Sequence, residues 1–135
     1  MADFVHLTNK TEYSLSEGAL PIARIAELCQ SFSMPAVGIS DNNNMFGALE
    51  FSEQIAKVGV QPILGCNIKI KTPKEYLHEN IEDKDLYFYL NIFSKSNEGY
   101  ENLLKCISNA YTLNKGDAYV RPVSYTHLTL PTMEL

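Results

Sequence analysis

The stretch PAVGISDNNNMFGALEF, residues 35 to 51, decides the fold that the sequence predicts. Its first five residues form an apolar run that is typical of a buried strand. An amphipathic helix is then predicted, and Gly59 ends that helix as a left-handed C-terminal cap would. The apolar residues that this helix is predicted to carry are Phe46, Leu49, Ile55, Ala56 and Val58. Asp41 and three consecutive asparagines lie between strand and helix. Because α/β proteins build sites where strands end, this junction is the first candidate site.

Predicted strands and helices also alternate before this stretch. The apolar segment from Phe4 to Leu7 predicts a first strand, and the polar residues after it predict a loop. A helix follows, with Pro21 in its first turn, because four apolar residues recur at helical spacing. These four residues are Ile22, Ile25, Ala26 and Cys29.

The alternation continues toward the C-terminus. VQPILGCNIKIK, residues 60 to 71, predicts a third strand, and a polar loop spans about residues 72 to 85. LYFYLNIFSK, residues 86 to 95, is rich in strand-forming residues, and a helix capped by Ser96 or Asn97 follows it. The order β-α-β-α-β, then one strand and one helix, predicts an α/β fold with right-handed crossovers between parallel strands.

Composition and charge argue against membrane-spanning, secreted and DNA-gripping proteins. The chain has 135 residues, 45% of them apolar, and a net charge of −5. No apolar run reaches the roughly 18 residues of a membrane span, and no signal peptide is evident, so we expect a cytoplasmic protein. Three widely spaced cysteines predict buried free thiols. The basic residues are scattered and HENIEDKD, residues 78 to 85, is acidic, which argues against a DNA-gripping surface.

The C-terminal segment differs from the rest. VSYTHLTLPTMEL, residues 123 to 135, is rich in threonine, lacks a clear period and resembles a translated sequencing adaptor. We predict that it is non-native and that the native sequence, residues 1 to 122, continues differently in its parent. The alternative is a strand-forming segment that has been cut short.

Three segments occur in the order and spacing of one family. They are FVHLTNKTEYSLSEGAL (residues 4 to 20), MPAVGISDNNNMFGALEFSEQIAKVGVQPILGC (34 to 66) and NEGYENLLKCISNAY (97 to 111). Together they resemble the N-terminal PHP (polymerase and histidinol phosphatase) domain of bacterial DNA polymerase III alpha subunits. The resemblance covers residue 4 to about residue 121. It implies the N-terminal portion of a distorted (β/α)7 barrel, left incomplete in this chain.

The resemblance also implies where a metal site would stand. Metal-binding members hold two or three divalent ions with an H-x-H pair after the first strand, an Asp-His pair after the second and a Glu after a Gly-Cys. The corresponding positions in this sequence are Thr8, Lys10, Asp41, Asn42 and Asn67. A lysine ammonium has no lone pair for a metal and repels a cation. The sequence therefore predicts a degenerate site with no metal ligand and no catalytic residue.

The function that this resemblance implies belongs to a longer parent protein. The parent would be a DNA-directed DNA polymerase of replication that uses Mg²⁺, while this fragment would need no cofactor. The fragment would be non-catalytic and structural, with the rest of the alpha chain and the proofreading exonuclease subunit as partners, and would reach DNA only through the parent. The alternative is a stand-alone PHP-type metal-dependent phosphoesterase, so whether the fragment is itself an enzyme stays open.

Several side chains have a structural interpretation beside a functional one. Asp41 is a remaining ligand, a turn residue near the strand end or, as we expect, a helix N-cap or the ion-pair partner of Lys10. The amides of Asn42, Asn43 and Asn44 bind a phosphate or sugar or, as we expect, form a turn that tolerates left-handed backbone angles. We expect His6 to be packed and hydrogen-bonded rather than a ligand. Acid–base roles are also conceivable for Glu12 and Glu50, but Glu50 is expected to be a solvated or paired surface group.

Overall fold

The computed structural model describes residues 4–14, 18, 20–72, 86–113, 119 and 133–134. It has a mixed α/β architecture. The elements are α1 (Ile22–Ser31), β1 (Ala36–Asn42), α2 (Ala48–Lys57), β2 (Gln61–Lys71), β3 (Tyr87–Ser94), α3 (Asn97–Leu113) and β4 (Met133–Glu134). The chain divides into two compact units, Met1–Cys66 and Asn67–Leu135. Most of the predicted 72–85 loop, with its acidic segment, and all but two residues of the predicted tail lie outside the described residues.

The helix α1 confirms the predicted amphipathic pattern. Pro21 is its N-cap residue, with extended backbone angles, so its missing N–H costs no helical hydrogen bond. The four apolar residues predicted to share one face are the buried residues of α1. They join residues of β1 and α2 in one core, and α1 packs against α2. The members of this core are Ile22, Ile25, Ala26, Cys29, Val37, Ile39, Phe51, Ile55 and Val60.

The strands β1 and β2 are neighbours in the sheet, as predicted. At one end the backbone N–H of Gln61 donates to the carbonyl of Pro35 at 3.2 Å. At the other end the thiol of Cys66 donates to the carbonyl of Asp41 at 3.4 Å. Because both contacts advance in the same direction along the two strands, β1 and β2 run parallel within the first unit.

The predicted first strand, from Phe4 to Leu7, is wrong as a regular strand. The segment runs beside β1, and the carbonyls of His6 and Asn9 each accept a 2.8 Å hydrogen bond from β1. Its strand character is limited to one isolated parallel bridge, between Asn9 and Ile39. Phe4 is 62% exposed and Leu7 is 40% exposed, so few apolar contacts hold a longer ladder in register.

The helix α2 is where predicted, and of the five apolar residues predicted to lie along it only Ile55 is buried. Phe46 and Leu49 are 74% and 69% exposed, whereas Ala48, Phe51 and Ile55 are buried. Their spacing of three and four residues is itself helical, so two apolar stripes compete in this sequence. Packing against α1 and β1 buries the stripe that contains Phe51. Gly59, with φ +76°, follows the helix in the predicted left-handed conformation.

The second unit contains the end of β2 followed in sheet order by β3 and β4. Ile68 and Ile70 are buried and the lysines between and after them are half-buried, which confirms the predicted alternation. The strand β4 runs antiparallel to β3 and falls within the predicted non-native tail, whose origin stays a prediction. The helix α3 packs on β3, and its predicted cap is confirmed because Ser96 Oγ accepts from the N–H of Gly99 at 3.1 Å.

The three cysteines are free and buried, as predicted. Burial raises the pKa of the Cys106 thiol to about 11 and also raises the pKa of Cys29. Because only the thiolate attacks other sulfurs or metals, Cys106 is chemically quiet near neutral pH. These thiols therefore act as small apolar core residues.

Gly38 gives the first test of the fold. A Cβ there would lie 2.6 Å from the carbonyl oxygen and 2.8 Å from the Cα of Leu7. We expect Gly38→Ala to push the N-terminal segment away from β1 and to lower the free energy of unfolding by about 1–3 kcal/mol. Hydrogen exchange at the Ser40 amide, which donates to Asn9, measures the separation directly.

The matched control is Gly59→Ala, where nothing lies within 4 Å of the added Cβ but φ is +76°. Backbone strain should cost about 1 kcal/mol there without speeding exchange at Ser40. Equal exchange rates at Ser40 in the two variants would contradict the proposed contact.

Candidate functional site

The candidate site lies where β1 ends and the turn into α2 begins. Asp41, the next-to-last residue of β1, is only 1% exposed. A buried carboxylate is costly unless hydrogen-bond donors replace the water that it has lost. The polar segment before α1 supplies these donors, and all of the residues concerned belong to the first unit.

Three donors surround the Asp41 carboxylate. Its Oδ1 atom accepts from the backbone N–H of Thr11 and from the hydroxyl of Ser14, each at 2.7 Å. Its Oδ2 atom accepts from the hydroxyl of Thr11, also at 2.7 Å. Thr11 is fully buried and Ser14 is 2% exposed. These short bonds to a charged acceptor are of the strong class, and they compensate the burial of the carboxylate.

The two hydroxyls also accept hydrogen bonds. Ser14 Oγ accepts from the backbone N–H of Asn42 at 3.0 Å, and Thr11 Oγ1 accepts from the N–H of Tyr13 at 3.2 Å. The N–H of Ser14 donates to the carbonyl of Thr11 at 3.0 Å and closes a turn. Each hydroxyl is thus both donor and acceptor, which fixes its proton toward Asp41. The turn and the strand end form one connected polar network.

Lys10 does not form the predicted ion pair with Asp41. Its Nζ atom donates to the carbonyl of Ser40 at 3.0 Å and to Oδ1 of Asn42 at 2.8 Å. It therefore bonds the residues on either side of Asp41, while Thr11 and Ser14 occupy the carboxylate. The prediction of Asp41 as a helix N-cap is also wrong, since Asp41 lies in β1 and Gly47 is the N-cap residue of α2. Positions in the sequence alone do not tell whether Lys10, or Thr11 with Ser14, would bond the Asp41 carboxylate.

The asparagines after Asp41 have the geometry of the predicted turn. Asn43 has φ 51°, a left-handed angle that asparagine tolerates better than most residues. Asn44 is 6% exposed and its Nδ2 donates to the carbonyls of Tyr13 and Asn42 at 3.1 and 3.0 Å. Its Oδ1 accepts from the N–H of Phe46 at 3.4 Å. The Asn44 side chain is thus part of the turn itself.

Three of the five predicted metal-site positions meet at the Asp41 network, and the other two are Thr8 and Asn67. Lys10, Asp41 and Asn42 lie together, because the Lys10 ammonium donates to Ser40 and Asn42, the residues before and after Asp41. Thr8 is exposed on the N-terminal segment. Asn67 belongs to the second unit, where its Oδ1 is buried without a hydrogen-bond partner in the part of the chain that the structure describes. That all five positions derive from metal ligands stays a prediction.

The residues of the network are a poor fit for a divalent cation. Among the described residues, no group of three or more His, Cys, Asp or Glu side chains is placed to hold a metal ion. Both oxygens of Asp41 already accept hydrogen bonds, and Asn42 Oδ1 already accepts from the Lys10 ammonium. An ammonium at this place would repel a second cation, and hydroxyl and amide groups are weak ligands for zinc. The network therefore lacks the ligand set that a metal-dependent step would require.

The sequence did not reveal the roles of Thr11 and Ser14. Both lie in a segment predicted only as a polar loop, and neither has a helical or strand-like neighbour pattern. The spacing Thr-x-x-Ser, which suits a hydrogen-bonded turn, is the one local signal that would have marked them. Their distance from Asp41, 30 and 27 residues, made the pairing invisible to local patterns.

Two other singled-out side chains lie on the surface. Glu50 accepts from the Tyr13 hydroxyl at 3.2 Å, which confirms it as a paired surface group. That hydrogen bond and the negative charge of Glu50 raise the pKa of Tyr13. His6 was expected to be packed but is exposed, and its ring meets Phe4 edge-on at 4.7 Å. Across the described ranges, no helix has the length and apolar character to span a membrane.

Comparison with known proteins gives one family. The PHP domain family model matches residues 6–130. The chain is 38% identical over 112 residues to the DNA polymerase III subunit alpha of Rickettsia felis, covering 83% of this chain and 8% of that protein. The Helicobacter pylori (strain 26695) subunit alpha is also 38% identical over 112 residues, covering 80% of this chain and 9% of that protein. The chain thus spans less than a tenth of the length of these curated relatives.

A solved structure shows the same fold. It is that of a proposed metal-dependent phosphoesterase from Bifidobacterium adolescentis, with a TM-score of 0.54 and 17% identity. The match covers 81% of this chain and 34% of that chain. At this identity the likeness concerns the fold alone.

Asp41→Asn tests the network. The amide keeps the shape of the carboxylate but turns an N–H₂ group toward one of its donors, so at least one buried donor loses its acceptor. We expect a loss of about 2–4 kcal/mol in the free energy of unfolding, measured by urea denaturation. Glu50→Gln, the same change on an exposed side chain, should stay within about 0.5 kcal/mol. Similar losses in both variants would show that the network contributes little.

Lys10→Met tests the bonds that flank Asp41. Methionine keeps much of the apolar stem but removes the donors to Ser40 and Asn42, so we expect a loss of about 1–3 kcal/mol. Lys105→Met, on an exposed position of α3, is the control and should change stability by no more than about 0.5 kcal/mol. A Lys10 variant as stable as the control would mean that these bonds are weak in solution.

Proposed function

This chain belongs to the PHP domain family, and we propose that it forms the N-terminal, non-catalytic part of the PHP domain of a bacterial replicative DNA polymerase. The proposal has three elements. They are the identity of the parent protein, the completion of the fold by a longer chain, and a structural rather than catalytic role for the Asp41 network.

The Asp41 network carries the proposal of a non-catalytic role. Its carboxylate oxygens are held by Thr11 and Ser14, and the nearby cation is the Lys10 ammonium. A metal-dependent phosphoesterase needs carboxylate and imidazole ligands with open lone pairs, so that a bound ion can activate water. In this chain three protein donors already bond the Asp41 carboxylate, and Asn42 Oδ1 accepts from Lys10. We infer that the strand end stabilises the domain and needs no cofactor.

The parent is inferred from the relatives. Two relatives named DNA polymerase III subunit alpha share 38% identity with this chain, and the chain spans only 8–9% of their length. We propose that the whole protein is a DNA-directed DNA polymerase whose nucleotidyl transfer requires Mg²⁺ and residues outside this chain. It would act in the bacterial cytoplasm, and DNA would be bound by the parent rather than by this acidic fragment.

An open apolar groove in the first unit supports completion of the fold by a longer chain. The groove has a cavity volume of about 510 Å³ and lies between the N-terminal segment and α1. Phe4, Leu20 and Phe32 line it and are 62%, 40% and 66% exposed. Since contiguous exposed apolar surface marks an interaction site, we propose that later elements of the (β/α)7 barrel cover this groove. The rest of the alpha chain is thus the first partner.

The second proposed partner is the proofreading exonuclease subunit. A domain without metal chemistry of its own has no need to keep its strand ends open to substrate, so its surface is available for docking. A separate nuclease subunit bound to it would supply the hydrolytic activity that the network lacks. This part of the proposal depends on the family resemblance.

The test uses the full-length protein that contains this chain. We expect Mg²⁺-dependent primer extension by that protein, together with no turnover of p-nitrophenyl phosphate in the presence of Mn²⁺ or Zn²⁺. Asp41→Asn should leave the lack of phosphatase turnover unchanged. The exonuclease subunit, added in equal amount, should co-elute with the full-length protein in gel filtration.

A different result would favour the stand-alone phosphoesterase. The decisive outcome is phosphatase turnover that a chelator abolishes, that Mn²⁺ or Zn²⁺ restores, and that Asp41→Asn removes. Glu50→Gln serves as the matched control, because it makes the same chemical change away from the network and should leave any such turnover intact.

A further inference from the structure

The start of α2 carries two large apolar side chains that the core does not use. Phe46 is 74% exposed and Leu49 is 69% exposed. Phe46 directly precedes the N-cap residue Gly47, a position from which an apolar side chain often packs on the fourth helical residue. That residue is Phe51, which is fully buried beneath the helix. At this exposure the Phe46 side chain faces solvent instead of covering Phe51 at the start of the helix.

The aromatic ring of Tyr13 lies near the start of α2. A Cβ on Gly47 would lie 2.9 Å from Cδ2 of the Tyr13 ring, so the ring rests against the backbone beside Phe46. Tyr13 is 36% exposed, and its hydroxyl is held by Glu50 at 3.2 Å. We call the surface formed by the exposed side chains of Phe46 and Leu49 the α2 apolar patch; the Tyr13 ring lies beside it against Gly47.

Acidic side chains border the α2 apolar patch. Glu50 and Glu53 are exposed, and they follow Leu49 by one and four residues, so Glu53 lies on the same helical face as Leu49. Glu12 is exposed as well, and its negative charge contributes to the raised pKa of the neighbouring Tyr13. The patch therefore has an apolar centre and a negative border.

We propose that the α2 apolar patch docks a segment of a partner protein that presents Lys or Arg side chains around one or two apolar side chains. The apolar centre would contribute contact area, and the glutamates would orient the segment and speed its association. Because the patch is small, the contact belongs to the weak, transient class unless other surfaces add to it. The inference uses only the surface of the first unit and does not rest on the polymerase assignment.

The charge of the patch disfavours other occupants. A second copy of the chain meeting it through the same patch would place glutamates opposite glutamates, and the chain carries a net charge of −5. The phosphates of nucleic acids and of anionic lipids would be repelled in the same way. A cationic protein segment satisfies both the apolar centre and the border.

The test measures fluorescence anisotropy of a labelled sixteen-residue amphipathic peptide of leucine and lysine, titrated with the full-length protein that contains this chain, so that a patch covered by the rest of the parent would not bind. A leucine–glutamate peptide of equal length is the control probe. The double variant Phe46→Ser, Leu49→Ser should weaken binding of the basic peptide by about tenfold. Glu50→Gln with Glu53→Gln should weaken it by about fivefold at low salt and remove most of its dependence on salt.

Two matched variants show whether the effect is local. Leu113→Ser changes a side chain that is 75% exposed on α3, and Glu101→Gln changes an exposed glutamate of the same helix. Both should bind the basic peptide like the unmodified chain, and circular dichroism should show all variants folded. Unchanged binding by the patch variants, or equal weakening by the controls, would overturn the proposal. Self-association in sedimentation that Phe46→Ser abolishes would overturn it in favour of a second copy.

Discussion

The buried Asp41 carboxylate is the constraint on which the first unit depends. A charge that is 1% exposed requires donors, and they come from Thr11 and Ser14, about thirty residues earlier in the chain. Satisfying Asp41 therefore ties the polar turn before α1 to the end of β1. Just before this turn the N-terminal segment lies alongside β1 through hydrogen bonds of His6 and Asn9, with one isolated bridge at Asn9. One carboxylate thus organises a region that apolar burial alone would leave loose.

The network also explains how this strand end keeps its shape through hydrogen bonds within the protein. Lys10 bonds the residues that flank Asp41, and Asn43 and Asn44 provide the turn into α2. Each group takes its partners from within the protein. Family membership establishes that the chain shares a fold with its relatives, whereas the hydrogen-bond partners of Asp41 and Lys10 describe this particular strand end. That distinction is needed because one fold supports many functions.

The sequence predicted those features that depend on local pattern. The buried face of α1, the alternation in β2 and the cap at Ser96 follow from spacing and composition, and the structure confirms them. The buried face of α2 was predicted only in part, at Ile55, because two apolar stripes at helical spacing compete and packing against α1 and β1 selects the one that contains Phe51. The predicted ion pair between Lys10 and Asp41 was wrong for a related reason. Charge suggested an ion pair, but the hydroxyls that surround the carboxylate lie in a loop without a pattern.

The central claim is that protein hydrogen bonds, rather than a metal ion, neutralise the end of β1. Thermal unfolding of the full chain with EDTA, with Mn²⁺ and with Zn²⁺ tests it most directly, because an ion bound only by the folded state at a hundred times its Kd adds about 2.7 kcal/mol of stability. We predict the same Tm in all three conditions. A Tm that rises by several degrees with metal, and that no longer does so in Asp41→Asn, would contradict the account.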